Sequence, residues 1–195
     1  MRETGHIGKQ DIRSRYLSLR DGLPEKERRQ KSRKIWENLK NDPMYQKAQA
    51  VLVYMDYRSE VMTTGLVEEL LANPAKRVFA PKVEGMHINF YEIRSLEELE
   101  GGYQGIREPQ KSPERKFTKK MTEQMDTVIL IPGAVFDRQR GRMGYGKGFY
   151  DRFLSEHQGI YGIALGFACQ IAKKIPMEPH DKRPDVIVTE NEVIG

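Results

Sequence analysis

Short apolar runs rich in β-branched residues recur along the 195-residue chain, and stretches with helical periodicity separate them. The runs predict strands over residues 50–56, 77–80, 87–93, 128–131, 160–167 and 185–189. Apolar residues at helical spacing, such as Ile12, Tyr16 and Leu19, predict helices in the first third, and a further helix is predicted to begin at Phe149. Because strands alternate with helices, we predict an α/β fold. It is a three-layer, Rossmann-like single domain over residues 1–195, with a mostly parallel sheet flanked by helices.

Turn and cap signals divide these elements. Asp21-Gly22-Leu23-Pro24 separates the first two helices, and Asn41-Asp42-Pro43 ends the second. Thr63-Thr64 is predicted to cap a third helix, and Ser95 to Glu98 reads as a capping box that opens a short helix. Residues 101–122 are poor in apolar residues and rich in charge, glycine and proline. We therefore predict a long loop there.

A glycine-rich basic segment follows the strand at 128–131. It contains four glycines and four cations, namely Gly141, Gly144, Gly146, Gly148, Arg138, Arg140, Arg142 and Lys147. Strand, glycine-rich loop and helix together predict a phosphate cradle, because loop amides and a helix N-terminus both favour anions. The alternative is a surface loop that needs glycine only for its turns. No acidic residue balances the cations before Phe149, which favours anion binding.

The cradle is not a Walker A loop. Gly141 to Lys147 reads G-x-x-x-x-G-K, but the next residue is Gly148 instead of the Ser or Thr that ligates Mg²⁺. The segment also begins about ten residues after its strand, whereas a P-loop follows its strand directly. The P-loop NTPase class is therefore excluded.

Composition narrows the class of partner. The formal net charge is +5, which suits an anionic ligand, either a nucleotide with a polyanionic substrate or a nucleic acid. One cysteine, Cys169, excludes an internal disulfide and predicts a cytoplasmic protein. No apolar run approaches a membrane span, and the first ten residues lack a signal-peptide core.

Other candidate residues lie far from the glycines. Lys9 and Arg13 stand at i and i+4, so one helical face would carry both, and they could clamp two phosphates. Glu60 follows the strand at 50–56, at the edge where α/β sheets bind ligands, or it compensates a helix dipole. The basic run from Arg28 to Lys34 is predicted to be a solvated helix face.

Residues Pro132 to Asp151 also carry a longer pattern, P-G-x-x-F-D-x-x-x-x-R-x-G-x-G-x-G-x-Y-D. This pattern resembles the signature of the 5-formyltetrahydrofolate cyclo-ligase family. The resemblance extends to Lys9-x-x-x-Arg13, to Glu60 and to the closing Asp181-x-x-x-Asp185.

The resemblance implies an ATP-dependent ligase of folate one-carbon metabolism. It would convert 5-formyltetrahydrofolate, with or without a polyglutamate tail, to 5,10-methenyltetrahydrofolate and release ADP and phosphate. ATP and Mg²⁺ are the implied cofactors. A monomer with no nucleic-acid or membrane partner is expected.

The resemblance also implies roles for individual residues. Catalysis would rest on Arg142 and Lys147. ATP would bind Lys9, Arg13, Arg142, Gly144, Tyr145, Gly146, Lys147, Gly148, Phe149 and Tyr150. The folate substrate would bind Met55, Glu60, Tyr145, Gly146, Lys147, Gly148 and Phe149. Asp151 and Asp181 would hold the metal.

Two other classes remain open from the residues alone. One is a different phosphotransferase or sugar-phosphate enzyme on a similar scaffold. The other is an RNA-binding protein, which would place exposed aromatic residues among its basic ones, and the run from Arg28 to Lys34 has none. A rise in melting temperature with ATP and Mg²⁺, or with RNA, would separate these classes.

Overall fold

The computed structural model describes residues 8–195. Residues 1–7, which carry most of the amino-terminal stretch used in the signal-peptide prediction, lie outside the described residues. The helices are α1 (Lys9–Asp21), α2 (Glu25–Lys40), α3 (Pro43–Lys47), α4 (Thr64–Leu71), α5 (Lys119–Gln124) and α6 (Phe149–Glu156). Over residues 8–195, no helix has the length and apolar character that would let it cross a membrane.

Twelve strands are described. They are β1 (Ala50–Leu52), β2 (Arg77–Glu84), β3 (His87–Ile93), β4 (Leu99–Gly101), β5 (Arg107–Pro109), β6 (Thr127–Ile131), β7 (Val135–Asp137), β8 (Arg142–Met143), β9 (Tyr161–Leu165), β10 (Ile171–Ala172), β11 (Val186–Val188) and β12 (Val193–Ile194). Seven of them form one sheet in the order β12-β11-β9-β6-β1-β2-β3. The four inner pairings are parallel, and the two edge pairings, β11–β12 and β2–β3, are antiparallel. The predicted mostly parallel sheet is confirmed.

The central strands are buried on both faces, as their apolar runs predict. Val128 and Leu130 of β6 pack in a cluster with residues of α2 and α4, whereas Ile129 and Ile131 pack in a second cluster with Phe153 of α6. Successive side chains of a strand point to opposite faces. The helices therefore cover both faces of the sheet, and the predicted three-layer α/β architecture is confirmed.

Several strand bounds differ from the prediction. β1 ends at Leu52, and the chain from Tyr54 onward forms a wall of the cavity described below. β2 runs on through Pro81 to Glu84. It pairs with β1 only as far as Phe79, and beyond that residue β3 is its one described strand neighbour. Pro81, which has no N–H to donate, therefore costs no hydrogen bond to β1. The strand predicted at 185–189 is present as β11, but it is not the last strand, because β12 follows it.

The predicted long loop at 101–122 is also wrong in part. It contains the last residue of β4 and all of β5, which pair as a hairpin, and α5 begins inside it at Lys119. Gly102 leaves room for the Glu108 side chain, because a Cβ there would lie 2.4 Å from its carboxylate oxygen. Phe117, 1% exposed, anchors the segment against Phe79 with ring centroids 5.2 Å apart.

Two predicted caps work differently in the structure. The first turn of α4 is capped by Asp56, whose Oδ1 accepts from the backbone N–H of Thr63 and of Thr64 at 2.7 and 3.2 Å. The hydroxyl of Thr63 instead donates to the carbonyl oxygen of Tyr54. Ser95 caps a single 3₁₀ turn, accepting from the N–H of Glu97, in place of the predicted capping box.

The helices at the amino-terminal end agree with the prediction except at one position. Ile12 and Tyr16 of α1 pack against a small core cluster, but Leu17 completes that face, and Leu19 is 49% exposed. The small cluster lies against a second sheet in the order β10-β7-β8, which the sequence pattern did not predict. This small sheet carries the start of the glycine-rich segment.

Candidate active site

A cavity of about 590 Å³ opens where β1 and β6 end at the carboxyl edge of the main sheet. We call it the central cavity. Parallel α/β sheets bind ligands at this edge. All of the site residues predicted from the sequence line it, namely Lys9, Arg13, Met55, Glu60, Arg142, Gly144, Tyr145, Gly146, Lys147, Gly148, Phe149, Tyr150, Asp151 and Asp181. The structure thus brings them together, and their individual roles stay predictions.

The glycine-rich segment reaches the cavity through the β7–β8 hairpin. Asp137 organises its turn, because Oδ1 accepts from the N–H groups of Gln139 and Gly141 at 2.9 and 2.8 Å. Beyond β8, Gly146 and Gly148 have φ of 92° and 64°, the left-handed region that favours glycine. α6 begins directly after Gly148. A left-handed turn at a helix N-terminus suits an anion.

Arg142 lies in the floor of the cavity and is only 4% exposed. Its Nη2 donates to Asp151 Oδ1 at 2.8 Å, and its guanidinium carbon lies 5.8 Å from the ring centroid of Tyr150. Among residues 8–195, its buried Nε has no hydrogen-bond partner. Asp151 Oδ1 also accepts from the N–H of Lys182 at 2.9 Å.

Only two of the four cations in the glycine-rich segment face the cavity. Arg138 forms an exposed bidentate pair with Glu192, and Arg140 donates to the carbonyl oxygen of Asp185. Neither lines the cavity, whereas Arg142 and Lys147 do. The β7–β8 hairpin points the first two toward the carboxyl-terminal segment, so the cations that remain near the glycine turn are the two predicted to act on phosphate.

α1 supplies the wall opposite the glycine turn. Lys9 and Arg13 lie one helical turn apart, as predicted. Arg13 Nε donates to the carbonyl oxygen of Gly144 at 2.8 Å. Lys9 Nζ lies 3.0 Å from Asp181 Oδ2 and 3.1 Å from Glu178 Oε1. Partial burial opposes the charge of Lys9, but the two carboxylates outweigh it and raise the pKa of this lysine.

Asp181 is held firmly as an anion. Its Oδ2 accepts from the N–H of Glu178 at 2.7 Å as well as from Lys9. Burial alone would raise the pKa of Asp181, yet these donors lower it below its usual range. Ligand atoms of Glu178, His180 and Asp181 lie within 4.8 Å of one another, a spacing that could hold a cation. Asp151, the other predicted metal ligand, is not a member of that group.

Glu60 lies at the other end of the cavity and is 6% exposed. Its Oε1 accepts from the hydroxyl of Tyr145 at 2.5 Å, and its Oε2 accepts from the N–H of Tyr57 at 2.9 Å. Burial raises the pKa of Glu60 to about 7, although both hydrogen bonds oppose that rise. Buried Met55 lines the same region.

Arg20, which was not predicted from the sequence, is a cavity-lining cation that is 2% exposed. Its Nη1 donates to the hydroxyl of Tyr145 at 2.6 Å. A signal was present, because Arg20 follows Lys9 and Arg13 at i+11 and i+7, on the same face of α1. Two further lining residues were not predicted: Glu108, and Tyr103, whose ring meets that of Phe149 edge-on at 6.1 Å.

The family model described as the 5-formyltetrahydrofolate cyclo-ligase family matches residues 6–190. The chain belongs to the 5-formyltetrahydrofolate cyclo-ligase family. This family is one of ATP-dependent ligases, so the predictions of family, enzyme class and folate one-carbon metabolism are confirmed.

Individual relatives agree with the cyclo-ligase assignment. A probable 5-formyltetrahydrofolate cyclo-ligase of Schizosaccharomyces pombe is 29% identical over 78% of this chain and 80% of its own. The 5-formyltetrahydrofolate cyclo-ligase of Mus musculus is 26% identical over 96% of each chain.

A solved structure supports the cyclo-ligase fold. The 5,10-methenyltetrahydrofolate synthetase of Aquifex aeolicus is 34% identical, covers 96% of this chain and 92% of its own, and superposes with a TM-score of 0.82. The synthetase of Mycoplasma pneumoniae, at 23% identity and a TM-score of 0.73, shares the fold.

Proposed function

We propose that the central cavity closes the ring of 5-formyltetrahydrofolate in an ATP-dependent reaction, with the nucleotide phosphates at the glycine turn and the pterin against Glu60. One observation carries this division. A single cavity joins a cationic, glycine-built anion turn at one end to a buried carboxylate at the other. Family membership supplies the reaction class.

The phosphate half fits ATP by its donor set. It offers the backbone amides of the turn at Gly146 and Gly148, the Lys147 ammonium and the buried Arg142 guanidinium. Arg13 closes the turn from α1 through its bond to Gly144. Charge neutralisation around a transferring phosphoryl group is what such a reaction requires.

The folate half fits the donor-rich edge of a pterin. A carboxylate offers about four lone-pair sites, and Tyr145 and Tyr57 use two of those on Glu60. The remaining sites can accept hydrogen bonds from ring N–H and amino groups. Met55, Tyr145 and Phe149 add apolar and aromatic surface around this acceptor.

Mg²⁺ would be held chiefly by Asp181, since that carboxylate is anionic and lies beside Glu178. Asp151 fits less directly, because it lies outside the group formed by Glu178, His180 and Asp181 and is paired with the buried Arg142 guanidinium. When bound, the ion would neutralise charge on the phosphates. We propose that Asp181 is the principal ligand and that Asp151 acts together with Arg142.

The chemistry follows from holding two substrates in one cavity. When bound, ATP supplies the γ-phosphoryl group that turns the formyl oxygen into a leaving group. N10 of the folate then bonds to the formyl carbon and loses its proton, and phosphate leaves with the former formyl oxygen. Arg142 and Lys147 stabilise the charge that develops on the phosphoryl group, while Glu60 orients the ring.

We further propose that one chain suffices, since every residue of both halves comes from the same chain. Light scattering of the purified protein tests for a monomer. The cytoplasmic location stays a prediction, and one relative, from Arabidopsis thaliana, is named a mitochondrial cyclo-ligase. Comparing turnover of 5-formyltetrahydrofolate with and without a polyglutamate tail tests whether the protein prefers the polyglutamylated substrate.

An absorbance assay for methenyl product tests the proposal. Purified protein is expected to convert 5-formyltetrahydrofolate only when ATP and Mg²⁺ are both present, with one ADP and one phosphate released per product. A non-hydrolysable ATP analogue serves as the matched control. Equal turnover without nucleotide, or release of AMP, would contradict the proposal.

A further inference from the structure

Arg20 is a buried cation that joins three separate segments of the chain. It projects from α1, its Nε donates to Ser59 Oγ at 2.9 Å, and its Nη1 donates to the Tyr145 hydroxyl at 2.6 Å. Ser59 in turn donates to Asp21. Burying a guanidinium is costly unless it is well bonded, so this arrangement needs a physical reason.

We propose that Arg20 is a positioning residue for the folate substrate. Through Tyr145 it holds Glu60 as an oriented carboxylate acceptor facing the central cavity. This inference rests on the proposed binding of folate by Glu60. It assigns no direct contact with substrate to Arg20.

The direction of the hydrogen bonds carries the argument. A guanidinium offers only donors, so the Tyr145 oxygen must accept from Arg20. The single hydroxyl proton of Tyr145 is therefore left to donate to Glu60 Oε1. The N–H of Tyr57 donates to Oε2. Both oxygens of Glu60 thus receive donors, which is the arrangement that an ionised carboxylate requires.

Electrostatics point the same way. Burial favours the neutral form of Glu60 and raises its pKa to about 7, while the donors from Tyr145 and Tyr57 and the charge of Arg20 oppose that shift. Asp56 favours the neutral form. The groups with the largest effects on Glu60 or from it are Arg20, Asp56, Tyr54, Tyr145 and Tyr150, and Asp21 and Arg58 also line this part of the cavity. Arg20 is the cation whose charge lowers the pKa of Glu60 among the causes of its shift.

A purely structural role for Arg20 would give a different result. If the side chain only tied α1 to the loop after β1, its loss would lower stability and leave the pH dependence of folate binding unchanged. A positioning role changes that pH dependence. The two roles therefore separate in a pH profile.

The experiment measures folate affinity by calorimetry from pH 5.5 to 9, with ATP affinity measured in parallel. Wild-type affinity for folate is expected to rise with pH through about 7, as Glu60 ionises. Arg20→Met should move that midpoint upward by about one pH unit and weaken folate binding near neutrality by roughly tenfold, as expected for loss of a nearby opposite charge. ATP affinity should change little.

Three variants make the test specific. Arg20→Lys keeps the charge, so the pH midpoint of its folate affinity should lie close to the wild-type value. Tyr145→Phe leaves Arg20 in place but removes the donor to Glu60, and it should also move the midpoint upward. Arg15→Met, at an exposed position on the same helix, should behave as wild type.

The outcomes separate the inference from the proposed function. A folded Arg20→Met protein with the wild-type midpoint would overturn the inference. If Arg20→Met does not fold, an unchanged midpoint in Tyr145→Phe would overturn it equally. Glu60→Gln should bind folate roughly 10- to 100-fold more weakly and with no pH dependence in this range. Unchanged folate affinity in Glu60→Gln would instead overturn the proposed function.

Discussion

Arg142 and Asp151 form an ion pair in the floor of the central cavity, with Nη2 and Oδ1 2.8 Å apart. The Arg142 side chain is 2% exposed and that of Asp151 is 17% exposed. The pair joins the last strand before the glycine turn to the helix that follows it. It therefore holds both ends of the turn that we propose binds the phosphates.

Arg142→Ala should weaken both turnover and stability. Loss of one preorganised charge donor costs about 2–4 kcal/mol of transition-state stabilisation, roughly a 30- to 1,000-fold fall in kcat. Leaving Asp151 without its partner should cost about 3 kcal/mol of folding free energy as well. Turnover of folded protein and a urea melt measure the two effects, with Arg142→Lys as the charge-retaining control. Wild-type kcat in Arg142→Ala would show that the phosphates bind elsewhere.

The two predicted metal ligands should differ. Asp181→Asn should raise the Mg²⁺ concentration for half-maximal activity by at least about tenfold, as loss of a ligand does. Asp151→Asn should raise it less and should lower kcat more, since it disturbs Arg142. Mg²⁺ titrations at fixed ATP, with calorimetry of Mg²⁺–ADP binding, compare the variants. The reverse order would make Asp151 the principal ligand.

Gly146→Ala tests the turn itself. With φ of 92°, an alanine there should cost about 1–2 kcal/mol through backbone strain. Steric overlap adds nothing to this cost, since the nearest atom to an added Cβ is 3.7 Å away. The strain should appear as a higher KM for ATP. Gly101→Ala is the matched control, since Gly101 has no positive φ and no atom within 4 Å of an added Cβ. Equal ATP affinity in the two variants would argue against an anion turn.

Lys9→Met tests the clamp on α1. If Lys9 reaches the phosphates, its loss should weaken ATP binding by about 1.5–3 kcal/mol, the usual contribution of a charged hydrogen bond, and leave folate affinity unchanged. Lys34→Met, at an exposed site on α2, is the control. Equal ATP affinity in both variants would indicate that Lys9 only neutralises Glu178 and Asp181.

Glu60 should also make stability depend on pH. With a folded pKa of about 7 against 4.5 unfolded, both states hold the proton below pH 4.5. Between these values only the folded state holds it, so the free energy of unfolding should fall as pH rises and level off above 7. The loss attributable to Glu60 is about 3 kcal/mol. Denaturant melts from pH 5 to 8 compare the free energy of unfolding of wild type with that of Glu60→Gln. As pH rises, the wild type should lose stability relative to the variant. A constant difference would contradict this.

The sequence by itself determined the family, the main sheet and fourteen of the residues that line the cavity. Val128 to Ile131 could be predicted as a doubly buried strand because apolar, β-branched runs are local signals that do not depend on distant residues. The signature from Pro132 to Asp151 worked for a similar reason, since turn glycines and a helix start are encoded within twenty residues. Lys9 and Arg13 were found because helical spacing is also local.

Only the tertiary structure decided which of these groups act on one another. Tyr145 lies 85 residues from Glu60 and 125 from Arg20, and no local pattern encodes that the three meet. The same holds for Arg138 and Arg140, whose charges looked alike in sequence but turn away from the cavity. Ionisation depends on burial and on donors from other segments. The charge state of Glu60 is therefore a property of the packed chain, which the order of residues does not show.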